Sequence, residues 1–140
     1  MTDQLEKFWD GVKKEEVAFL ATSVGKGVTM RTVSPVYYED AILIFTNPAS
    51  QKYQQLKENP NCCLAVNGCM MEAKAEFLGH TMSDGNAHLR EAYSEKHKGA
   101  FDEGIMYGGR DSDFILFKPT LVKGWGYENG VPTGPFEYRF

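Results

Sequence analysis

The chain has 140 residues, a formal net charge of −4 and 42% hydrophobic residues. This size and composition suit one globular domain over 1–140 and argue against a disordered chain. The acidic balance excludes the usual basic nucleic-acid binder, so we expect no nucleic-acid partner. No apolar run approaches the ~20 residues that cross a bilayer, and the first residues lack a signal-peptide pattern. We therefore expect a cytoplasmic protein with no membrane partner.

The first half of the chain predicts two helices and three strands. A cap at Thr2 or Asp3 precedes apolar residues at helical spacing. Apolar or alternating runs predict strands over 17–22, 28–38 and 41–46. Pro35 indicates a bulge or an edge in the second strand, because proline cannot donate to a sheet ladder. A short helix is predicted over 51–58 and ends at Asn59-Pro60.

The second half predicts four more strands and one helix. Strands over 62–66 and 71–82 meet at Asn67-Gly68, a strong hairpin signal. A helix follows from 83–84 to about 97, and then a glycine-rich loop. Strands over 114–118 and 121–127 are separated by Pro119, and 130–140 is predicted to be irregular. Consecutive strands with local connections favour an antiparallel barrel over a doubly wound sheet.

Cysteines and histidines do not predict a metal site. Cys62, Cys63 and Cys69 are odd in number and crowded, unlike a disulfide framework, and they lack zinc-like spacing. We interpret them as residues that fill a strand and its turn. In the glycine-rich loop, Tyr107 and Arg110 either line a pocket or belong to a surface loop.

The junction between the third strand and the second helix carries an anion-binding pattern. Thr46 and Ser50 supply hydroxyl groups and Lys52 supplies a cation around the helix N-terminus. Unpaired N–H groups and the positive end of the helix dipole favour a phosphate there. Arg31, on a neighbouring strand, is either a solvated rim residue or a bidentate contact to the same phosphate. These residues predict an anion site without identifying the phosphate.

The segment from Ile44 to Lys52, followed by Gln55-Leu56 and Asn59-Pro60, resembles the FMN-binding segment of the pyridoxamine 5′-phosphate oxidase-like flavoproteins. The preceding two strands of that family match this sequence at residues 20–22, at Gly27 and at residues 31–33. Its strand ending in glycine resembles residues 75–79. The resemblance implies a mainly β, α+β fold, an antiparallel six-stranded split β-barrel with flanking helices. It also implies a homodimer with FMN at the subunit interface.

The resemblance further implies which residues bind the cofactor: phosphate contacts, residues along the flavin edge, residues against the ring, and contacts from the partner subunit. The implied phosphate contacts are Arg31, Lys52, Ser50 and Gln51. The flavin edge would be lined by Thr32, Val33 and Ser34, and the ring would lie against Phe45 and Thr46. The contacts from the partner subunit would be Lys74 and Trp125. Trp125 is alternatively a core or interface anchor. A branch of the family uses a deazaflavin, which these residues leave open.

The C-terminal sequence, Phe136 to Phe140, lacks the Arg-x-His motif with which the oxidase proper recognises its phosphorylated substrate. We therefore do not expect pyridoxamine-phosphate oxidase activity. The expected function is an FMN-dependent oxidoreductase that transfers a hydride through flavin N5, with a small-molecule substrate or a nicotinamide donor. No catalytic residue is assigned. The alternative is a protein that binds flavin or haem for storage or sensing.

Overall fold

The computed structural model describes residues 3–105 and 108–140, which form one antiparallel sheet of eight strands with three α-helices. The helices are α1 Asp3–Lys14, α2 Gln51–Glu58 and α3 Ala87–Lys96. The strands are β1 Ala18–Val24, β2 Gly27–Val33, β3 Val36–Tyr37, β4 Ile42–Thr46, β5 Asn61–Val66, β6 Cys69–His80, β7 Asp113–Glu128 and β8 Val131–Arg139. Single 3₁₀ turns cover Asp84–Asn86 and Gly109–Asp111. Thr2 and Tyr107, named above, lie outside the described residues.

The strand order is β2-β1-β5-β6-β7-β4-β3, with β8 also paired to β7, and the sheet does not close. This open antiparallel sheet with flanking helices confirms the split-barrel class. It has eight strands where six were expected. One reason is that the predicted strand over 28–38 divides at Ser34 and Pro35. The first part pairs with β1 and the second with β4, because proline cannot continue the ladder.

The C-terminal prediction was wrong in two places. Pro119 does not separate two strands, because β7 runs through it with a register shift against β6 that accommodates the proline. Residues 131–139 are not irregular but form β8 along β7. The two strands meet at Asn129-Gly130, where both residues have positive φ, as a tight hairpin turn requires. Pro132 and Pro135 are tolerated because β8 is an edge strand.

The two sides of β4 pack into two different hydrophobic clusters. Ile42 and Ile44 belong to a main cluster that α1 and the inner face of the sheet enclose. Leu43 belongs to a second cluster with Tyr93 of α3 and Phe114 of β7. The strand is therefore buried on both faces, as its almost entirely apolar sequence favours. Packing on both sides holds the end of β4 in place, and the candidate site begins at that end.

Cys62, Cys63 and Cys69 lie on β5 and β6 as free thiols. Burial, with a smaller effect from Cys63, raises the pKa of Cys62 to about 12, so this thiol stays protonated at neutral pH. Over the ranges that the structure describes, no group of three or more potential ligand side chains could hold a metal ion. Within the same ranges, no helix combines the length and apolar character that a membrane span needs.

Candidate functional site

A tight turn connects β4 to α2 and brings two hydroxyl groups together. The side chain of Asn47 accepts a hydrogen bond from the Ala49 amide at 2.8 Å, which fixes the turn. Ser50 then caps α2, and its Oγ accepts from the Tyr53 amide at 3.3 Å. The Oγ atoms of Thr46 and Ser50 lie 2.9 Å apart. The sequence pattern predicted this strand-to-helix junction and the bounds of α2.

A cavity of about 450 Å³ opens at this junction. Its lining is mixed: Phe45 and Ile105 supply apolar surface, and hydroxyl groups and the Lys52 ammonium supply polar surface. The lining residues are Phe45, Thr46, Asn47, Ser50, Lys52, Ile105, Gly108, Asp111 and Ser112. Four of the predicted cofactor residues thus line one cavity. A ligand with both a planar apolar part and an anionic part would match such a lining.

Arg31 lies beside this cavity without lining it and makes hydrogen bonds within the fold. Its Nη1 donates to Thr22 Oγ1 at 2.8 Å and to the Leu20 carbonyl at 3.3 Å. Its Nη2 donates to Gln55 Oε1 at 2.8 Å. These contacts hold the guanidinium between β1 and α2. Alternation along β2 puts Thr29, Arg31 and Val33 on one face, and the structure finds this face partly or fully buried.

Arg31 and Lys52 lie close enough for their charges to interact. Burial lowers the pKa of Lys52, and the Arg31 cation lowers it further. Burial also lowers the pKa of Arg31. The ion pairs seen over 3–105 and 108–140 use Arg110, Lys118 and Arg139 as cations, not these two. A bound phosphate would relieve the repulsion, so the residues present fit the phosphate of FMN.

The apolar wall of the cavity rests on an aromatic cluster. The Phe45 ring lies 4.9 Å from the Tyr93 ring and 5.5 Å from the Phe101 ring, centroid to centroid. Tyr93 also donates its hydroxyl hydrogen to the Ser34 carbonyl at 3.1 Å. Helix α3 therefore supports both the ring wall and the segment after β2.

The other predicted residues are more scattered. Thr32 and Ser34 are exposed, and Gln51 is exposed at the start of α2. Val33 packs its side chain into the main core, so it can offer a ligand only its backbone. The Arg110 side chain, with Asp111, lines a separate cavity of about 500 Å³.

Lys74 and Trp125 do not join the cavity within one chain. Lys74 lies opposite Lys118 on β7. The Trp125 side chain is 55% exposed and lines a larger cavity of about 780 Å³ with Met70 and Phe136, among others. Their predicted contacts to the flavin would therefore have to come from a second subunit.

Sequence reasoning missed Thr22, Gln55, Asn47, Asp111 and Ser112 as site residues. Gln55 carried a signal, because it lies three residues after Lys52 and so on the same side of α2. Asn47 carried another, because asparagine favours turns of this kind. Asp111 and Ser112 reach the cavity from a loop about 60 residues further along the chain, and no local pattern marks them.

An open antiparallel split barrel with a cavity of mixed polar and apolar lining at a strand-to-helix junction defines the class of this protein. The model of the family described as pyridoxamine 5′-phosphate oxidase matches residues 1–126. The chain therefore belongs to the pyridoxamine 5′-phosphate oxidase family. No curated protein matches the chain at a significant level.

Solved structures share the fold at low sequence identity. General Stress Protein 26 from Bacillus anthracis str. Sterne has a TM-score of 0.72 at 12% identity, over 99% of this chain and 100% of that one. A FAD-binding protein from Mesorhizobium loti has a TM-score of 0.66 at 15% sequence identity, over 87% of this chain and 92% of that one. A heme binding protein from Mycobacterium smegmatis has a TM-score of 0.74 at 14% sequence identity, over 99% of this chain and 59% of that one. These identities establish the common fold alone.

Proposed function

We propose that this chain is a cytoplasmic FMN-binding flavoprotein that acts as an oxidoreductase. The observation that carries the proposal is a pair of cations: Lys52 lines a partly apolar cavity, Arg31 lies near it, and neither takes part in an ion pair among the described residues. The family supports a flavin as the ligand. When bound, FMN supplies hydride transfer at its N5 atom. Reduced thiols at all three cysteines fit a reducing compartment.

The residues of this chain would divide the work of binding. Lys52 and Arg31 would hold the phosphate by charge, and the Ser50 hydroxyl and the amides at the start of α2 would donate to it. Phe45 would shield the ring from water, together with Thr46 at its edge. From the family pattern, Gln51 and the segment 32–34 would add contacts. The donor or substrate is a small molecule or a reduced nicotinamide, and the chain's own acid or base is not assigned.

The proposal is tested by the visible absorption spectrum of the purified protein, before and after FMN is added and unbound ligand is removed. We expect flavin bands near one equivalent per chain. Riboflavin, which lacks the phosphate, serves as the matched control and should be retained much less. A protein that retains neither FMN nor inorganic phosphate would show that the cation pair is not a phosphate site.

Enzymatic function is separated from storage or sensing by anaerobic mixing of the FMN-loaded protein with NADH or NADPH. Rapid bleaching of the flavin bands is expected for an oxidoreductase that uses a nicotinamide donor. Tight FMN binding with slow bleaching by both donors would favour a binding protein. The two outcomes differ in rate and not in affinity, so they are independent of the binding test above.

The pH dependence of binding follows from the lowered pKa of Lys52. Phosphate binding favours the charged ammonium of Lys52. The affinity for FMN is therefore highest while Lys52 is protonated, below its lowered pKa, and falls as the pH rises through that pKa. We expect the ratio of FMN to riboflavin affinity to decline at a lower pH than the usual pKa of a lysine side chain would give. Isothermal titration at several pH values measures this ratio. In a Lys52→Arg control the decline should vanish, because arginine stays charged over the whole range.

We also propose that two copies form a homodimer with an FMN site at each subunit interface. The face of the sheet that points away from the core carries exposed apolar side chains on β1 and β2. Val28 is 74% exposed, Met30 is 65% exposed and Phe19 is also exposed. Contiguous exposed apolar surface of this kind is typical of an interface. A dimer would also explain how Lys74 and Trp125 could reach a flavin held by the other chain.

A charge placed on this face should dissociate the dimer. For Met30→Glu we expect sedimentation to report the single-chain mass of 15.7 kDa, against twice that mass for the unmodified protein. The carboxylate would have to be buried without a partner, which is costly. Lys98→Glu, after the end of α3, makes a larger change in charge and should leave the dimer intact. An unmodified protein that sediments as a single chain at high concentration would contradict the proposal.

A further inference from the structure

Three polar side chains next to the cavity form a closed hydrogen-bonded triangle. Arg31 donates to Thr22 Oγ1 and to Gln55 Oε1, both at 2.8 Å, and Thr22 donates its hydroxyl hydrogen to the same Gln55 oxygen at 2.6 Å. A guanidinium group can only donate, so Gln55 has to present its oxygen to it. Its Nε2 then faces Thr29 Oγ1 at 3.4 Å. Every member of the triangle thus has one defined orientation.

The acceptors in this triangle are all neutral. Thr22 offers a hydroxyl, Gln55 an amide oxygen and Leu20 a backbone carbonyl. Buried charges in proteins are usually paired, and glutamate has nearly the same shape as the glutamine at position 55. A carboxylate there would neutralise Arg31 and also relieve its repulsion with Lys52. Within the part of the chain that the structure describes, Arg31 takes part in no ion pair, so the fold orients the cation without a paired carboxylate.

We propose that Gln55 is a positioning residue for phosphate binding: it orients the Arg31 guanidinium while leaving the positive charge for the ligand. This inference rests on the proposed function, because the ligand is the FMN phosphate. The geometry that supports it is the double acceptance at Gln55 Oε1, from Arg31 and from Thr22. Thr22, 1% exposed, anchors the triangle in the core. Neither Gln55 nor Arg31 lines the cavity, but Arg31 lies near Lys52, which does, so Gln55 would act on a bound phosphate through Arg31.

The test compares Gln55→Glu with Gln54→Glu. Both changes add one negative charge to α2, but only the first places it on Arg31, because Gln54 donates to the Pro48 carbonyl instead. For Gln55→Glu we expect FMN affinity to fall about tenfold or more, as for loss of a charged hydrogen bond, with riboflavin affinity unchanged. Its melting temperature should stay the same or rise, because the new carboxylate pairs with Arg31. A purely structural role for Gln55 would move stability and affinity together.

A double-mutant cycle with Arg31→Met shows whether the effect passes through Arg31. In that background we expect Gln55→Glu to change FMN affinity less than about threefold. An equal loss in both backgrounds, or an equal loss for Gln54→Glu, would overturn the role of Gln55 and leave FMN binding itself standing. An unmodified protein that binds neither FMN nor inorganic phosphate would overturn both proposals. Thermal melting of each variant confirms that the protein compared is folded.

Discussion

Replacement of Arg31 or Lys52 by alanine is expected to weaken FMN binding by about 1.5–3 kcal/mol, or about 10- to 150-fold. Each side chain would give a charge-assisted hydrogen bond to a phosphate in a partly desolvated place, where such bonds are strong. Burial lowers the pKa of Lys52 and the nearby Arg31 cation lowers it further, so the two side chains lie close enough for their charges to interact before a ligand arrives. Quenching of flavin fluorescence during titration measures the affinity directly.

Riboflavin separates the effect of the phosphate from that of the ring. Its affinity should be nearly the same in both variants as in the unmodified protein, because it has no phosphate to lose. Lys26→Ala, in the exposed turn between β1 and β2, removes the same charge away from α2 and should leave FMN affinity unchanged. Unchanged FMN affinity in both Arg31→Ala and Lys52→Ala would rule out this phosphate site.

Local signals in the sequence correctly predicted helix α2 next to the site and the β5–β6 hairpin. The bounds of α2 followed from Ser50 as a capping residue and from Pro60, which prevents the helix from continuing. The β5–β6 hairpin followed from Asn67 and Gly68, whose positive φ values match the turn that such a pair favours. In each case the structure is decided by residues within a few positions, so a short sequence window contains the cause.

Features that depend on distant pairing were missed. Asn129-Gly130 is the same type of pair as Asn67-Gly68, but the segment from Gly130 to Phe140 was predicted to be irregular because it carries two prolines and two glycines. Proline is unfavourable only where its missing N–H is needed, and β8 pairs on one side alone. Whether a strand lies at an edge is a property of the whole sheet. The same holds for Pro119, which sits at a shift in register between β6 and β7.

The partners of Arg31 show the same limit within the site. Alternation along β2 put Arg31 on the same face as Thr29 and Val33, and only the structure shows that this face is the buried one. Its partner Gln55 belongs to a helix 24 residues further along the chain, and only the packing of α2 beside β1 brings the two together. The types of residue therefore predicted an anion site, whereas the neutral triangle that orients the arginine required the three-dimensional structure.

Tyr93→Ala is expected to lower the free energy of unfolding by about 3–5 kcal/mol, as for loss of a large buried ring. Tyr93 is 3% exposed and contacts Phe45, Phe101 and Phe114, so its removal leaves a cavity in the second cluster. Urea unfolding followed by circular dichroism measures the change. Because Phe45 forms the apolar wall of the ligand cavity, riboflavin and FMN affinity should fall together.

Tyr93→Phe is the matched control for this substitution. It keeps the ring contacts and removes only the hydrogen bond to the Ser34 carbonyl, so we expect a loss of about 1 kcal/mol. Equal losses for the two variants would show that the hydrogen bond, and not ring packing, supports the wall. In the expected case, Arg31 variants lose the phosphate-dependent part of FMN affinity and Tyr93→Ala loses the ring-dependent part. The two parts of the ligand would then be recognised by separate elements, β2 with α2 for the phosphate and β4 with α3 for the ring.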